Sequence, residues 1–319
     1  MKAVVINKPG HADVLKIVDR PMPVADTEHS VLKIHAFGVH RYEVLTREGG
    51  SPSVKFPRVI GVEAVGEVAN TKPGSGLKVG QKVITLNGGF GREFDGSEQE
   101  YALVPNKQLY TVDYDGSWTD LAQYPETFVT AFGSIKSLHL SADDSMLIRG
   151  GTTAVGLAMI KLAKAMGLKV AATTRKPERL DEIKASGADE AVLDKDGQLQ
   201  TDKQYDGIVD LVGVVTMRDS VSHVRSQGIC CVIGLLAGEW EMKDFSPFEM
   251  VDKYLTAYDS DFFDQGTVDE LFGLIREHNI TIPIAKVFTL DDIAVAQDYV
   301  MANAKIGAVI VTNDAIKDS

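Results

Sequence analysis

Cysteine and tryptophan are scarce in this chain of 319 residues, which has two of each. The cysteines, Cys230 and Cys231, are adjacent and cannot form the disulfide framework of a small secreted domain. We expect both to pack in a buried strand. Long apolar runs are also missing, so neither a membrane span nor a signal peptide is predicted. We therefore expect a cytoplasmic protein.

An excess of basic residues is missing as well. The chain has 33 Lys and Arg against 45 Asp and Glu, which gives a formal net charge of −12 at pH 7. Such a chain repels polyanions at long range, so nucleic acid is not expected as a partner. Its composition of 44% apolar and 24% charged residues is that of a globular protein. Its length predicts about two domains of roughly 150 residues each.

Proline is sparse beyond the first 125 residues, which hold eight of the 11 prolines. In that first part, short stretches rich in β-branched residues are bounded by Gly, Pro, Asn or Asp. Proline removes a donor from a β-ladder and favours turns and sheet edges. The pattern therefore predicts a β-rich domain of short strands joined by irregular loops.

From about residue 126 the chain alternates between strands and helices. Strands are predicted at 145–149, 168–173, 191–193, 207–212 and 229–235, with helices at 155–166 and 215–226. Strands that alternate with helices in this way are joined by crossover connections. The pattern therefore predicts a doubly wound parallel sheet covered by helices on both faces. After residue 264, two more helices and two more strands are predicted.

A glycine-rich loop joins the first of these strands to its helix. It consists of Gly150, Gly151, Thr152, Thr153, Ala154, Val155 and Gly156. Such a loop collects backbone N–H groups at the positive end of a helix, where an anionic pyrophosphate binds. Ala154 departs from the G-x-G-x-x-G pattern, and the Lys of a P-loop is missing. The strand–loop–helix–strand context favours dinucleotide binding over a mere tight turn. Gly234 and Leu235 are further candidates for cofactor binding.

The end of the following strand selects the cofactor. Proteins that bind NAD normally place Asp or Glu there for the ribose 2′-OH. This chain has Thr174, Arg175 and Lys176 instead, with Arg179 one turn further on. Hydroxyl and guanidinium groups bind a 2′-phosphate that a carboxylate would repel. NADP(H) is therefore favoured, the alternative being that these basic residues are merely solvated.

Several short motifs are distributed along nearly the whole chain. They are GVHRYE at 38–43, Pro57, GVEAVG at 61–66, the segment 127–131, the glycine loop, DLVG at 210–213 and KIGAV at 305–309. They occur in the same order as in the medium-chain dehydrogenase/reductase superfamily, and the chain most resembles its zinc-free quinone oxidoreductase branch. The resemblance implies an α/β protein with a GroES-like β-rich catalytic domain, residues 1–122 and 265–319. A Rossmann doubly wound domain that binds NADP(H), residues 123–264, is inserted into it. It also implies an active site between the domains and a homodimer in which Rossmann sheets pair edge to edge.

Zinc-dependent relatives hold a catalytic metal at positions that match His40, Val62, Glu63 and Glu126. Val62 cannot ligate a metal, and neither cysteine lies at a ligand position, whereas a catalytic zinc needs three protein ligands. The segment REFDGSEQE stands where relatives carry a four-cysteine lobe for a structural zinc. We predict no metal, although a trio of His40, Glu63 and Glu126 remains open.

Without zinc, hydrogen-bond donors must stabilise the oxyanion that forms during hydride transfer. By the resemblance, Tyr42 occupies the position of a proton-relaying Ser or Thr, and His40 faces the active site. Both are candidate catalytic residues, the alternatives being a Tyr42 ring packed in the core and a purely structural His40. Arg41 and Thr130 match positions that contact the pyrophosphate and the nicotinamide in relatives.

These residues predict an NADPH-dependent oxidoreductase that transfers hydride to a small-molecule quinone or α,β-unsaturated carbonyl. Two alternatives remain open. The first is a carbonyl or alcohol dehydrogenase of the same superfamily, and the second is a non-catalytic NADPH-binding sensor or adaptor. Turnover of acceptors distinguishes an enzyme from a sensor.

Overall fold

The computed structural model describes residues 1–234, 238–239, 241–261, 263–302 and 305–315. Its helices are α1 Arg41–Arg47, α2 Trp118–Leu121, α3 Pro125–Lys136, α4 Ala154–Ala165, α5 Leu180–Ala185, α6 Met217–Ser222, α7 Gln265–His278 and α8 Ile293–Ala302. Its strands are β1 Lys2–Val5, β2 Lys16–Asp19, β3 His29–Gly38, β4 Glu63–Asn70, β5 Lys82–Leu86, β6 Tyr101–Pro105, β7 Tyr110–Thr111, β8 Ser145–Arg149, β9 Lys169–Thr174, β10 Glu190–Lys195, β11 Gln198–Leu199, β12 Tyr205–Asp210, β13 Val224–Val232, β14 Tyr254–Thr256, β15 Ile284–Thr289 and β16 Ala308–Thr312.

The chain forms two compact units. The first unit contains Met1–Glu126, Phe263–Phe272 and Pro283–Ser319, and the second contains Thr127–Phe262 and Gly273–Ile282. Across the residues that the structure describes, no helix combines the length and the apolar character needed to cross a bilayer.

A sheet with the strand order β15-β16-β3-β4-β5-β7 organises the first unit, and β6 also pairs with β3. The ten-residue strand β3 is central and runs antiparallel to β16, β4 and β6. Leu32 and Ile34 of β3 pack with Val68 of β4 and Val311 of β16 in one apolar core. The predicted β-rich domain of short strands is thereby confirmed.

The register of β3 and β4 brings two distant parts of the sequence together. Ala36 of β3 pairs with Val65 of β4 in an antiparallel ladder. The chain that leaves β3 after Gly38 therefore runs beside Glu63, the residue at which β4 begins. His40 follows as the N-terminal cap of α1. This register makes His40 and Glu63 neighbours in space.

A largely parallel sheet with the strand order β11-β10-β9-β8-β12-β13-β14 organises the second unit. The pairs β10/β9, β9/β8, β8/β12, β12/β13 and β13/β14 are parallel, and only the short β11 is antiparallel to β10. Leu147 of β8 and Leu157 of α4 are buried, and each such side chain stabilises the fold by about 1.5–3 kcal/mol. The predicted doubly wound Rossmann domain is confirmed.

Two local predictions in this unit are wrong. The helix expected at 215–226 is shorter, because Val224 already pairs with Tyr205 and starts β13. The strand expected to reach residue 235 ends at Val232. The placement of the cysteines is confirmed, since Cys230 and Cys231 are buried free thiols in β13.

Candidate functional site

The glycine loop has the conformation that its sequence requires. Gly150 has φ +99°, a region that side chains other than glycine rarely adopt. A Cβ atom on Gly151 would approach Cβ of Ala172 to 2.8 Å, and one on Gly156 would approach the carbonyl oxygen of Gly150 to 2.5 Å. Glycine at these positions lets α4 pack closely against the sheet.

The loop ends at the N-terminus of the twelve-residue helix α4. Thr153 is the N-cap, and its Oγ1 accepts a hydrogen bond from the backbone N–H of Gly156 at 2.9 Å. In the described part of the chain, the backbone N–H groups of Thr152, Ala154 and Val155 have no hydrogen-bond acceptor. Unpaired N–H groups at a helix N-terminus form an anion site, so this loop fits a pyrophosphate.

The end of β9 is hydrogen-bonded to the glycine loop. The backbone N–H of Gly150 donates to Oγ1 of Thr173 at 3.0 Å, and that of Gly151 donates to the carbonyl oxygen of Thr173. The residues that follow in the chain are therefore fixed relative to the loop. They are Thr174, Arg175 and Lys176, the predicted 2′-phosphate residues.

These three residues differ in exposure. Thr174 is buried and its Oγ1 accepts from the backbone N–H of Lys176 at 3.1 Å. The side chains of Arg175 and Lys176 are exposed. Arg179 lies at the start of α5 with its Nε 3.8 Å from the Glu182 carboxylate. The end of β9 thus carries two exposed cations and no carboxylate.

Beneath the glycine loop lies a buried ion network that the sequence analysis missed. Arg149, the last residue of β8, is fully buried and its guanidinium contacts Asp194 at 2.8 Å and Asp219 at 2.8 Å. Nη1 of Arg149 also donates to Oγ of Ser220, which in turn donates to Asp210. The network links the C-terminal ends of β8, β10 and β12. It therefore stabilises the end of the sheet at which the glycine loop begins.

The other predicted cofactor residues lie in different units. Thr130 is in α3 within the second unit, and its carbonyl oxygen accepts from Oγ of Ser134. Arg41 is exposed at the start of α1 in the first unit. Gly234 follows β13, where a Cβ atom would collide with the carbonyl oxygen of Leu211. Leu235 lies outside the described residues.

The two predicted catalytic residues lie together in the first unit, against a buried carboxylate. His40 Nε2 is 2.8 Å from Oε1 of Glu63, which is 1% exposed. The other carboxylate oxygen of Glu63 accepts from the backbone N–H of Glu126 at 2.6 Å. The Tyr42 ring stacks on the His40 ring, with centroids 5.0 Å apart and planes 16° apart.

The side chains of this cluster have perturbed acidities. Burial disfavours the charged form of His40, but the nearby carboxylates of Glu63, Glu43 and Glu126 outweigh it and raise the pKa of His40 to about 10. Burial raises the pKa of Glu43 to about 7, against the opposing effect of His40. The surrounding carboxylates therefore favour the charged form of His40.

Tyr42 is the polar group of this cluster that lacks a partner. Its hydroxyl is buried and has no hydrogen bond with any described residue. Burial and the charges of Glu126, Glu43 and Glu63 raise the pKa of this phenol well above its usual range. The guanidinium of Arg92 lies 6.0 Å from the ring centroid. Tyr42 is thus a protonated donor without an acceptor, which suits the binding of a substrate oxygen.

A second buried carboxyl, Glu98, was also missed by the sequence analysis. It is fully buried, and its Oε1 accepts from the side-chain amide of Gln297 at 2.8 Å. Burial, with the charge of Glu43, raises the pKa of Glu98 to about 8. No sequence pattern indicates this burial, because the polar segment around Glu98 resembles a surface loop.

A metal-binding trio of His40, Glu63 and Glu126 was left open by the sequence. Within the described ranges, no group of three or more His, Cys, Asp or Glu side chains is arranged to hold a metal ion. The trio of His40, Glu63 and Glu126 is therefore not such a group. Nε2 of His40 hydrogen-bonds to the Glu63 carboxylate.

Comparisons with known proteins agree with this architecture. The chain matches the alcohol dehydrogenase GroES-like domain over 26–114 and the zinc-binding dehydrogenase family over 154–277. Quinone oxidoreductase of Pongo abelii is 28% identical over 245 residues, which is 73% of either chain. Acryloyl-coenzyme A reductase of Metallosphaera sedula is 24% identical over 257 residues, 73% of this chain and 76% of the other. The structure of mycobacterial Rv1454c complexed with NADPH shares the fold, with a TM-score of 0.84 at 23% identity over 98% of this chain and 99% of that one.

The fold and both domain matches define an oxidoreductase of a superfamily whose members bind a nicotinamide cofactor. The chain belongs to the medium-chain dehydrogenase/reductase superfamily, in its quinone oxidoreductase-like branch.

Proposed function

We propose that this protein is an NADPH-dependent reductase that acts on a quinone or an α,β-unsaturated carbonyl. The observation that carries the NADPH assignment is the end of β9, where Arg175 and Lys176 are exposed and no carboxylate is present. Two cations beside a threonine hydroxyl attract a 2′-phosphate, whereas a carboxylate there would repel it. The relatives named quinone oxidoreductase and acryloyl-coenzyme A reductase support the two acceptor classes.

The residues of the second unit would hold the cofactor. The N–H groups of Thr152, Ala154 and Val155 would bind its pyrophosphate, and Thr174, Arg175 and Lys176 its 2′-phosphate. Thr130 and Gly234 are proposed to lie along the nicotinamide half. When bound, the reduced cofactor supplies a hydride to an electrophilic carbon of the substrate.

The residues of the first unit would manage the charge that hydride addition creates. The Tyr42 hydroxyl is proposed to donate a hydrogen bond to the substrate oxygen, and His40 to hold a proton beside it. Arg41 is proposed to contact the cofactor pyrophosphate. Val62 and the His40–Glu63 hydrogen bond favour this zinc-free chemistry over that of a zinc alcohol dehydrogenase.

We test this proposal by NADPH oxidation with a simple quinone, an enone and an aldehyde, each with and without a chelator. The expected result is oxidation with the quinone or the enone that a chelator does not affect. Aldehyde turnover that a chelator abolishes would instead identify a zinc alcohol dehydrogenase. Tight NADPH binding without oxidation by any acceptor would identify a sensor.

We also propose that the protein is a cytoplasmic homodimer. The free thiols of Cys230 and Cys231 suit a reducing compartment. The sheet of the second unit ends at β14, whose outer edge pairs with no other described strand. Tyr254 and Leu255 in this strand, with the preceding Phe248 and Val251, are exposed. An apolar sheet edge of this kind favours pairing with a second copy.

A further inference from the structure

Arg92 is an exposed arginine whose charge is unpaired. Within the described part of the chain, its guanidinium makes no hydrogen bond and no ion pair. It lies 6.0 Å from the centroid of the Tyr42 ring, which is a cation–π distance. Such a contact holds the guanidinium beside the ring and leaves its N–H groups available to a ligand. An unpaired cation is thus held next to the phenol whose buried hydroxyl also lacks a partner.

The loop at 89–96, which carries Arg92, packs closely against the chain that leads into β4. A Cβ atom on Gly91 would collide with the carbonyl oxygen of Gly61, and so would one on Gly96. Glycine on either side of Arg92 therefore lets the loop lie directly on Gly61. This close approach fixes the position from which the Arg92 side chain extends.

Asp95 anchors the same loop by its side chain. Its carboxylate accepts from Nη1 of Arg20 at 2.6 Å and from the backbone N–H of Val59 at 3.1 Å. Val59 and Gly61 belong to one short segment, so the side-chain anchor and the glycine contacts hold the loop to the same place. The loop therefore presents the guanidinium of Arg92 from a rigid base.

The other charged groups that act on Tyr42 are acidic. They are the carboxyl groups of Glu43, Glu63 and Glu126. An anionic group of a bound molecule would be repelled by these carboxylates unless a cation offset them. Arg92 is placed to do so, and a guanidinium binds a carboxylate through two parallel hydrogen bonds.

We propose that Arg92 determines the substrate class by binding a carboxylate of the acceptor, so that the preferred substrate is an α,β-unsaturated carbonyl compound that carries a carboxylate. This rests on the proposed function, since it names the acceptor of that reductase. Tyr42 donates its hydrogen bond to the carbonyl oxygen, and Arg92 binds the carboxylate at the other end of the molecule. Because the guanidinium lies 6.0 Å from the ring centroid, one small molecule can contact both groups.

The first experiment compares two acceptors that differ by one charge, trans-acetylacrylate and its methyl ester. In each, NADPH supplies a hydride and water a proton, so the C=C bond becomes a C–C single bond and NADP+ is released. We measure kcat/KM for wild type, Arg92→Gln and Arg92→Lys. We expect Arg92→Gln to lower kcat/KM by about 10- to 100-fold for the carboxylate and by less than about twofold for the ester. Arg92→Lys should retain part of the activity with the carboxylate, because it keeps the charge but not the fork.

Two further variants make the comparison selective. Lys72→Gln is the matched control, since Lys72 is exposed in the same unit and its loss changes the net charge equally; it should change neither acceptor. Tyr42→Phe should slow both acceptors by a similar factor, because both present the same carbonyl oxygen. Equal losses with both acceptors in Arg92→Gln would overturn the proposal, as would a wild type that reduces the ester but not the carboxylate.

The second experiment measures binding without turnover. Levulinate, which has no C=C bond, is titrated into protein saturated with NADP+ and followed by ligand-detected NMR, with methyl levulinate as the neutral probe. We expect Arg92→Gln to weaken levulinate binding by about 10- to 100-fold and Lys72→Gln to leave it unchanged. Equal binding of levulinate by wild type and Arg92→Gln would overturn the proposal. If wild type reduces no acceptor but binds levulinate through Arg92, the proposed function fails while the carboxylate site stands.

Discussion

Nε2 of His40 and Oε1 of Glu63 lie 2.8 Å apart because residue 38, which faces both, has no side chain. The hydrogen-bonded pair thus depends on three residues, which are Gly38 at the end of β3, Glu63 at the start of β4 and His40 at the N-cap of α1. Gly38 itself holds no group that could react with a substrate. Its effect on the pair can therefore be tested separately from the chemistry.

We predict that Gly38→Ala lowers kcat by about tenfold or more. A positioned acid–base group typically contributes about 10²- to 10⁴-fold to the rate, and displacing Glu63 removes only part of that. The new methyl group would displace the Glu63 carboxylate from His40. The measurement is steady-state kinetics with circular dichroism to check folding. Gly273→Ala is the control, because a Cβ atom there meets no atom within 4 Å, and it should leave kcat unchanged. Equal kcat in Gly38→Ala and wild type would contradict the account of the pair.

The stability of the protein should depend on pH through His40. Its pKa is about 10 in the folded protein against an ordinary value of 6.5, so the folded state binds this proton more tightly. The stabilisation is complete below about pH 6.5, declines as the pH rises, and is lost above about pH 10. We predict that the difference in unfolding free energy between wild type and His40→Gln shrinks across this range in urea titrations. A difference that stays constant with pH would show that His40 is neutral in the folded protein.

The ion network beneath the glycine loop should make a large contribution to stability. Replacing the fully buried Arg149 with Met leaves Asp194 and Asp219 without their cation, which is expected to cost about 3–5 kcal/mol. The exposed pair of Lys164 and Asp189 is the comparison, and Lys164→Met should cost no more than about 1 kcal/mol. Chemical denaturation monitored by circular dichroism gives both values. Similar losses in the two variants would contradict this view of Arg149.

The proposed dimer makes β14 the site of contact. We predict that Tyr254→Lys combined with Val251→Asp converts the dimer to a monomer, because charges on a sheet edge oppose edge pairing. Analytical ultracentrifugation measures the mass of wild type and variant. Val24→Asp, which changes another exposed apolar residue, in the first unit, is the control. A monomeric wild type would refute the dimer, and a variant that stays dimeric would place the contact elsewhere.

The sequence was sufficient for the fold class and for the alternation of strands and helices in the second unit. The strand at 145–149 and the following helix were predicted because their signals, the apolar periodicity and the glycine loop, lie within a short stretch of chain. The ends of helices and strands were predicted less well where the pairing of two strands determines them. Val224 begins a strand rather than ending a helix because Tyr205 is its partner.

Side-chain partnerships over long separations could not be predicted. Glu63 was considered only as a position that matches a metal ligand, since its bond to His40 depends on the register of β3 and β4. Arg149 lies 45 residues from Asp194 in sequence and looked like the end of an ordinary strand. In both cases the contact follows from strand order, which no local pattern encodes.

The most direct test of the NADPH assignment is calorimetry of wild type and Arg175→Ala with NADPH and with NADH. A guanidinium that forks onto a phosphate is a strong charge-assisted contact, and hydrogen bonds to charged groups are worth about 1.5–3 kcal/mol. We predict that wild type binds NADPH more tightly than NADH, and that Arg175→Ala weakens NADPH binding by about 10- to 100-fold while NADH binding is unchanged. Tighter binding of NADH by wild type, or an unchanged preference in Arg175→Ala, would contradict the account.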